Sequence, residues 1–185
     1  MQAPARKRRI HWPAVLTIFR VLLVIPVVVL TLRRTPASSW LAFGAFSVAA
    51  LTDGLDGIAA RRMDLVSAAG QLWDPIADKV LVGASMIALV IVGRFPVWAA
   101  VIIMAREVSV SALRIFADRR GKGFPASKTG KLKTGAQLLA VVLYILPAGR
   151  VPHAVELGAL YAAVVLSVVS ALQYFSRAPG MFDAR

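Results

Sequence analysis

The chain has 185 residues, of which 58% are hydrophobic, and its mean hydropathy is +0.72. A soluble domain is usually nearer half apolar, so this composition favours a membrane protein. The absence of cysteine excludes disulfides and cysteine-ligated zinc or iron–sulfur sites. The net charge of +13 indicates basic residues that flank apolar helices beside anionic lipid head groups. No nucleic-acid partner is expected, because no basic patch with interleaved aromatics stands apart from the apolar runs.

Apolar runs of about 20 residues, separated by Pro, Gly and charge clusters, predict six membrane-spanning helices. They are expected at Trp12–Leu32, Pro36–Ala60, Gln71–Val92, Phe95–Phe116, Lys128–Leu146 and Val155–Phe175. The basic segment 1–11 resembles the start of a signal peptide, but the apolar run after it is long enough to be a retained first helix. The predicted fold is an all-α integral membrane bundle of six transmembrane helices, with residues 1–185 in a single domain.

Basic residues outside these spans are divided unequally between the two ends of the predicted bundle. Twelve lie at the end that holds both termini and the loops 61–70 and 118–128. The other end has four, which are Arg33, Arg34, Arg94 and Arg150. The positive-inside rule then predicts a multi-pass protein of a bacterial-type inner membrane with both termini in the cytoplasm.

Four aspartates lie where the second predicted helix ends and the third begins. Asp53 and Asp56 are three residues apart, and Asp74 and Asp78 are four apart. At helical spacing each pair projects from one face, and an antiparallel helix pair would bring all four carboxylates together on the cytoplasmic side. Because such a cluster cannot stay ionised and unpaired at low dielectric, it predicts Mg²⁺ or Mn²⁺. Two alternatives stay open: carboxylates that complement a helix dipole, and a proton or ion relay in a transporter.

Small residues accompany the aspartates. Gly54, Gly57 and Gly70 lie beside an aspartate or at the turn into the third helix. Glycine costs about 1 kcal/mol in a helix interior, so its expected use is to let backbone or ligand approach closely. A contact between helices is the alternative use. Together with Ala60 and Arg61, Gly57 indicates a groove with a basic rim that suits a phosphate-bearing ligand.

Six basic residues lie inside or at the edge of the predicted spans: Arg20, Lys79, Arg106, Arg114, Lys131 and Lys133. Charges at that depth are costly and mark sites or pathways by default. Snorkelling explains the lysines near helix ends, but it does not easily explain Arg106. Since Glu107 alone does not balance the set, an anion from outside the protein is expected.

The pattern D-x2-D-G-x2-A-R-x8-G-x3-D-x3-D is complete between Asp53 and Asp78. In these eight positions the chain resembles the CDP-alcohol phosphotransferases. Four further stretches resemble one branch of that family, the phosphatidylglycerophosphate synthases, and they are LTIFRVLLVIP, AREVSVSALR, GKLKTGAQ and LQYFSRA. One departure is His11, which precedes Trp12 where family members often have an Asn two residues ahead of the proline.

The resemblance implies an enzyme in which an alcohol attacks the β-phosphorus of CDP-diacylglycerol and releases CMP. It implies that Asp53, Asp56 and Asp74 hold two metal ions, and that Asp78 deprotonates the acceptor while also touching metal. It further implies a homodimer in contact with membrane lipids. The residues implied to line the CDP groove are Thr52, Gly57, Ala60, Arg61 and Gly70.

The branch resemblance implies that the acceptor is glycerol 3-phosphate, a dianion. The residues expected at its phosphate are Arg106, Arg114, Lys131, Lys133, Thr17 and Arg20, with the arginines suited to bidentate binding. Lys131 and Lys133 point roughly 200° apart on a straight helix, so only one is expected to reach the phosphate directly. The alternatives are inositol phosphate, phosphatidylglycerol or serine as acceptor and, in a different class of protein, an ion or proton transporter.

Overall fold

The computed structural model describes residues 12–63, 68–119 and 128–177, and it describes side chains over 18–52, 79–117 and 129–176. Within these ranges the ordered elements are all helices, and no strand is present. They are α1 (Trp12–Leu32), α2 (Pro36–Met63), α3 (Ala68–Ile91), α4 (Val97–Arg119), α5 (Lys128–Ile145) and α6 (His153–Arg177).

The observed helices confirm the predicted all-helical fold, with shifts of a few residues at the helix ends. The first helix begins and ends where it was predicted. In contrast, α2 continues past Ala60 to Met63, and α3 begins at Ala68 instead of Gln71. Both helices extend into polar sequence because backbone hydrogen bonding does not require apolar side chains. All four aspartate positions of the motif therefore lie on helical backbone.

The helices enclose one apolar core. The first helix packs along both α2 and α3, while α6 packs along α4 and α5. The two groups meet where α5 contacts α2 and α3 and where α4 contacts α3. Phe46, Leu89, Ile103 and Leu160 come from four different helices, and each is at most 1% exposed.

The outer surface of the bundle is also apolar. Ile25, Leu41, Val97, Leu132 and Leu172 are 61–64% exposed, and they belong to five different helices. A soluble monomer rarely exposes a continuous surface of large apolar side chains, whereas a surface that faces lipid requires one. This surface therefore suits a protein embedded in a membrane.

Only one segment in the described part of the chain, His153–Ser176, is long and apolar enough by itself to cross a membrane. Three shorter apolar segments are found at Ile18–Leu32, Pro36–Thr52 and Lys79–Ile91. The count of six spans and the orientation of the bundle stay predictions.

Arginines hold together the end of the bundle where α1, α3 and α5 terminate. Arg34 Nη2 donates a hydrogen bond to the backbone carbonyl of Ile91 at 3.1 Å. Arg94 donates to the carbonyl of Leu146, and its Nη2 lies 3.2 Å from Glu156 Oε1 on α6. Basic groups on C-terminal carbonyls complement the helix dipole. Two of the four basic residues predicted at this end thus serve as helix caps.

Candidate active site

The aspartate motif lies at the opposite end of the bundle from these caps. Positions 53 and 56 belong to the second half of α2, and positions 74 and 78 belong to the first half of α3. The side chains of 53–78 lie outside the described residues, so their mutual distances stay predictions. Among the side chains that the structure describes, no group of three or more His, Asp or Glu is placed to hold a metal ion. The donor set of the motif consists of carboxylates, whose hard oxygens fit a hard divalent cation.

The predicted CDP groove includes one residue with a described side chain. Thr52 is half-buried at the boundary of the motif, and its hydroxyl donates to the carbonyl of Val48 at 2.9 Å. The hydroxyl proton is therefore used within α2, which leaves an oxygen lone pair for a ligand. The other four predicted groove residues, Gly57, Ala60, Arg61 and Gly70, have side-chain positions outside the described residues.

A cluster of charged side chains lies buried between α4 and α5, and Glu107 is at its centre. Glu107 Oε1 accepts hydrogen bonds from Arg106 Nη1 at 3.1 Å, from Lys133 Nζ and from Gln137 Nε2 at 3.3 Å. The side chains of Arg106 and Lys133 are only 8% and 6% exposed. We refer to these four residues as the cationic cluster. Its two cations meet one carboxylate, so the cluster carries an excess positive charge in a desolvated place.

Two serines of α6 complete the hydrogen bonding of the cationic cluster. Gln137 Nε2 donates to Ser167 Oγ at 3.0 Å, and Arg106 Nη2 donates to Ser170 Oγ at 2.6 Å. Both serines are fully buried. The Nε of Arg106 is also buried, and it has no hydrogen-bond partner among the described residues. A buried guanidinium donor without an acceptor is costly, so this atom is a suitable partner for a bound anion.

A lysine links the motif end of α3 to α4. Lys79, the residue after Asp78, donates to Ser111 Oγ, and the Ser111 hydroxyl donates to the backbone carbonyl of Glu107. Ser111 lies one turn from Glu107 on α4. The contact therefore joins the middle of α3, directly after the last position of the motif, to the part of α4 that carries the cationic cluster.

The two lysines of α5 that were predicted to point apart differ in burial. Lys133 is 5% exposed and belongs to the cationic cluster, whereas Lys131 is exposed. Snorkelling is therefore a suitable explanation for Lys131 but not for Lys133. Arg20 is 1% exposed on α1, the helix that packs along both aspartate-bearing helices. The side chain of Thr17 lies outside the described residues.

Arg114 lies two turns after Arg106 on α4 and is exposed. Its Nη2 donates to the hydroxyl of Tyr174 on α6 at 3.0 Å. Tyr174 lies in the stretch LQYFSRA, but neither it nor Ser167 and Ser170 beside the cationic cluster was predicted as a site residue. These three residues are spaced three and four apart, so they share one face of an otherwise apolar helix. A polar stripe at helical spacing inside an otherwise apolar run was the available signal.

The sequence model of the CDP-alcohol phosphatidyltransferase family matches residues 10–169, which include the whole motif and the cationic cluster. The chain belongs to this family. This confirms the resemblance predicted from the motif. The CDP-alcohol phosphatidyltransferases are membrane proteins that generally use divalent metal ions, so this chain is a membrane-associated transferase.

Curated relatives cover most of this CDP-alcohol phosphatidyltransferase. A probable phosphatidylglycerophosphate synthase of Mycobacterium tuberculosis is 36% identical over 96% of this chain and 86% of its own. A CDP-diacylglycerol–glycerol-3-phosphate 3-phosphatidyltransferase of Bacillus subtilis is 40% identical over 71% of this chain and 70% of its own. An enzyme of the same name from Shigella flexneri is 37% identical over 90% of this chain and 93% of its own.

Proposed function

We propose that this protein transfers the phosphatidyl group of CDP-diacylglycerol to glycerol 3-phosphate, which gives phosphatidylglycerol phosphate and CMP. The observation that carries the choice of acceptor is the cationic cluster, where Arg106 and Lys133 are buried against one carboxylate. The relatives named above support the same choice, because their names specify a phosphatidylglycerophosphate synthase and glycerol 3-phosphate as acceptor.

A dianionic acceptor suits the charge of the cationic cluster. The cationic cluster carries one excess positive charge, and Arg114, two turns further along α4, adds a second. A phosphate monoester, which carries roughly −1.5 to −2 at neutral pH, offsets both charges and accepts a hydrogen bond from Arg106 Nε. Inositol phosphate shares this chemistry, phosphatidylglycerol offers a phosphodiester with a single charge, and serine offers no phosphate. The cationic cluster therefore favours a phosphorylated alcohol, and the relatives favour glycerol 3-phosphate within that class.

We assign the bond-making step to the aspartate motif. A hydroxyl oxygen of glycerol 3-phosphate bonds to the β-phosphorus of CDP-diacylglycerol, and the bond from that phosphorus to the oxygen of CMP breaks. Asp78 accepts the hydroxyl proton, and Lys79 beside it fixes this part of α3 against Ser111 on α4. Arg106 and Lys133 hold the acceptor phosphate so that its hydroxyl is presented to Asp78.

Asp53, Asp56 and Asp74, together with Asp78, would hold two divalent ions, Mg²⁺ or Mn²⁺. Bound ions of this kind neutralise negative charge at the donor diphosphate. The residues that we propose for the CDP groove are Thr52, Gly57, Ala60, Arg61 and Gly70.

The proposed site faces the cytoplasm. The excess of basic residues at the motif end supports this orientation, in which the protein is a multi-pass inner-membrane protein with both termini in the cytoplasm. A homodimer is proposed on the resemblance to the family alone.

An acceptor panel tests this proposal. Purified protein is incubated with CDP-diacylglycerol and Mg²⁺ or Mn²⁺, and with glycerol 3-phosphate, inositol phosphate, phosphatidylglycerol or serine in turn. CMP and a lipid product are expected with glycerol 3-phosphate, and a chelator should stop both. Turnover with inositol phosphate and none with glycerol 3-phosphate would overturn the acceptor. Transport of ions without CMP release would favour the transporter alternative.

The two lysines of α5 provide a matched pair of variants. Lys133→Met keeps the volume of the buried stem but removes the charge, so the KM for glycerol 3-phosphate should rise about tenfold or more. Lys131→Met removes the same charge from an exposed side chain and should have a much smaller effect. Steady-state assays at saturating CDP-diacylglycerol measure the difference. A larger effect at Lys131 would contradict the assignment of Lys133.

A further inference from the structure

We propose that Tyr174 is a positioning residue of the acceptor pocket. Its side chain holds Arg106 and Arg114 so that both guanidinium groups can bind one phosphate. The inference deepens the proposed function and rests on it, because it concerns how the same acceptor is bound. Tyr174 belongs to α6 and lies five residues beyond the part of the chain matched by the family.

The ring of Tyr174 lies against both arginines. The guanidinium carbons of Arg106 and Arg114 are 5.8 and 5.9 Å from the ring centre. Tyr174 is only 6% exposed, so its ring is fixed by the surrounding helices. The two arginines lie eight residues, or about 12 Å, apart along α4. A single side chain of α6 therefore bridges two cations that α4 alone would keep two turns apart.

The chemistry of tyrosine suits this bridge. The face of an aromatic ring attracts cations within about 6 Å, yet it carries no net charge. The Tyr174 hydroxyl also accepts a hydrogen bond from Arg114 Nη2 at 3.0 Å. An aspartate or glutamate in this place would neutralise the arginines and compete with the substrate phosphate. Tyr174 instead orients two cations and adds no negative charge to that of Glu107, which Arg106 shares with Lys133.

Ser170 supports the same arrangement from one turn earlier on α6. It accepts a hydrogen bond from Arg106 Nη2 at 2.6 Å, and it is fully buried. Each arginine thus receives a ring contact and a neutral hydroxyl acceptor from the same face of α6. Because Ser170 anchors Arg106 independently, the Tyr174 hydroxyl should act mainly through Arg114.

Two substitutions separate the contributions of the ring and the hydroxyl. Tyr174→Phe keeps the ring and removes the acceptor for Arg114, so the KM for glycerol 3-phosphate should rise about fivefold. Tyr174→Leu removes both contributions, and the rise should reach about twentyfold or more. In both variants kcat should stay within about twofold and the KM for CDP-diacylglycerol should not change, since Tyr174 is assigned to the acceptor alone.

A double-mutant cycle tests whether the hydroxyl acts through Arg114. In an Arg114→Ala background, Tyr174→Phe should produce no further rise in the KM for glycerol 3-phosphate, because its hydrogen-bond donor is already gone. An equal rise in both backgrounds would overturn the proposed coupling. Tyr161→Leu is the matched control, because Tyr161 is 54% exposed on the same helix and contacts Trp98 instead of the arginines.

The possible outcomes distinguish this inference from the function on which it rests. If the native protein does not use glycerol 3-phosphate, the proposed function fails. If it does, and neither Tyr174 variant changes the KM for that acceptor, only the inference fails. A lower kcat with an unchanged KM would also overturn it, because Tyr174 would then not act through acceptor binding. Thermal unfolding shows whether Tyr174→Leu is folded, and Tyr174→Phe, which keeps the buried ring, carries the test if it is not.

Discussion

The substitution Asp78→Asn is expected to lower kcat by about a thousandfold or more, because general base catalysis by a positioned side chain contributes roughly 10²–10⁴-fold. The amide has nearly the same shape as the carboxylate, but it cannot accept the hydroxyl proton of glycerol 3-phosphate. It is also a weaker ligand for a divalent cation, which adds to the loss. Binding of the cytidine donor should persist, because the other three aspartates and the CDP groove are unchanged.

Two measurements on Asp78→Asn separate these effects. CMP release under saturating substrates reports turnover, and calorimetric titration with CDP in the presence of Mn²⁺ reports nucleotide binding. Asp64→Asn is the matched control, because it makes the same change at a variable position of the motif, between Arg61 and Gly70. Turnover close to that of the native protein would exclude Asp78 as the base. If the variant loses both CDP binding and turnover, Asp78 would instead be a residue that binds the nucleotide.

The positions of the helices could be predicted because membrane spans have a simple signal. A run of about 20 apolar residues bounded by charges is sufficient to place a helix, and α1 matches its prediction at both ends. This signal does not give the correct helix ends where α2 and α3 carry the motif. There Asp, Gly and Arg interrupt the apolar pattern, although the backbone stays helical. The errors at Met63 and Ala68 therefore fall at the functional end of the bundle.

The cationic cluster could be predicted only in part. Arg106 and Lys133 were identified because a charge inside an apolar span is unusual by itself. The central position of Glu107 and the support from α6 were not predicted, because these contacts join residues far apart in the sequence. Arg106 and Ser170 are separated by 64 residues, and Gln137 and Glu107 by 30. Helical periodicity describes one face of one helix, and it does not state which faces meet.

The substitution Arg106→Ala is expected to raise the KM for glycerol 3-phosphate about a hundredfold, since truncating one partner of a buried, hydrogen-bonded charge pair costs roughly 2–5 kcal/mol. The change removes the guanidinium that contacts Glu107 and Ser170, together with the unused Nε donor. Glu107 then has Lys133 as its remaining buried cation in the cluster, so the excess positive charge disappears. Arg106→Lys should recover little, because an ammonium lacks the planar fork of a guanidinium.

The decisive comparison for Arg106→Ala is between the two substrates. The KM for CDP-diacylglycerol should stay within about twofold, because the nucleotide is assigned to α2 and α3 and a lost acceptor contact affects the acceptor alone. Arg33→Ala, an exposed arginine at the opposite end of the bundle, is the matched control and should change neither constant. Equal weakening for both substrates would show that Arg106 supports the whole site and not the acceptor phosphate. The acceptor would then have to be bound elsewhere, and buried Arg20 on α1 would be the next residue to replace.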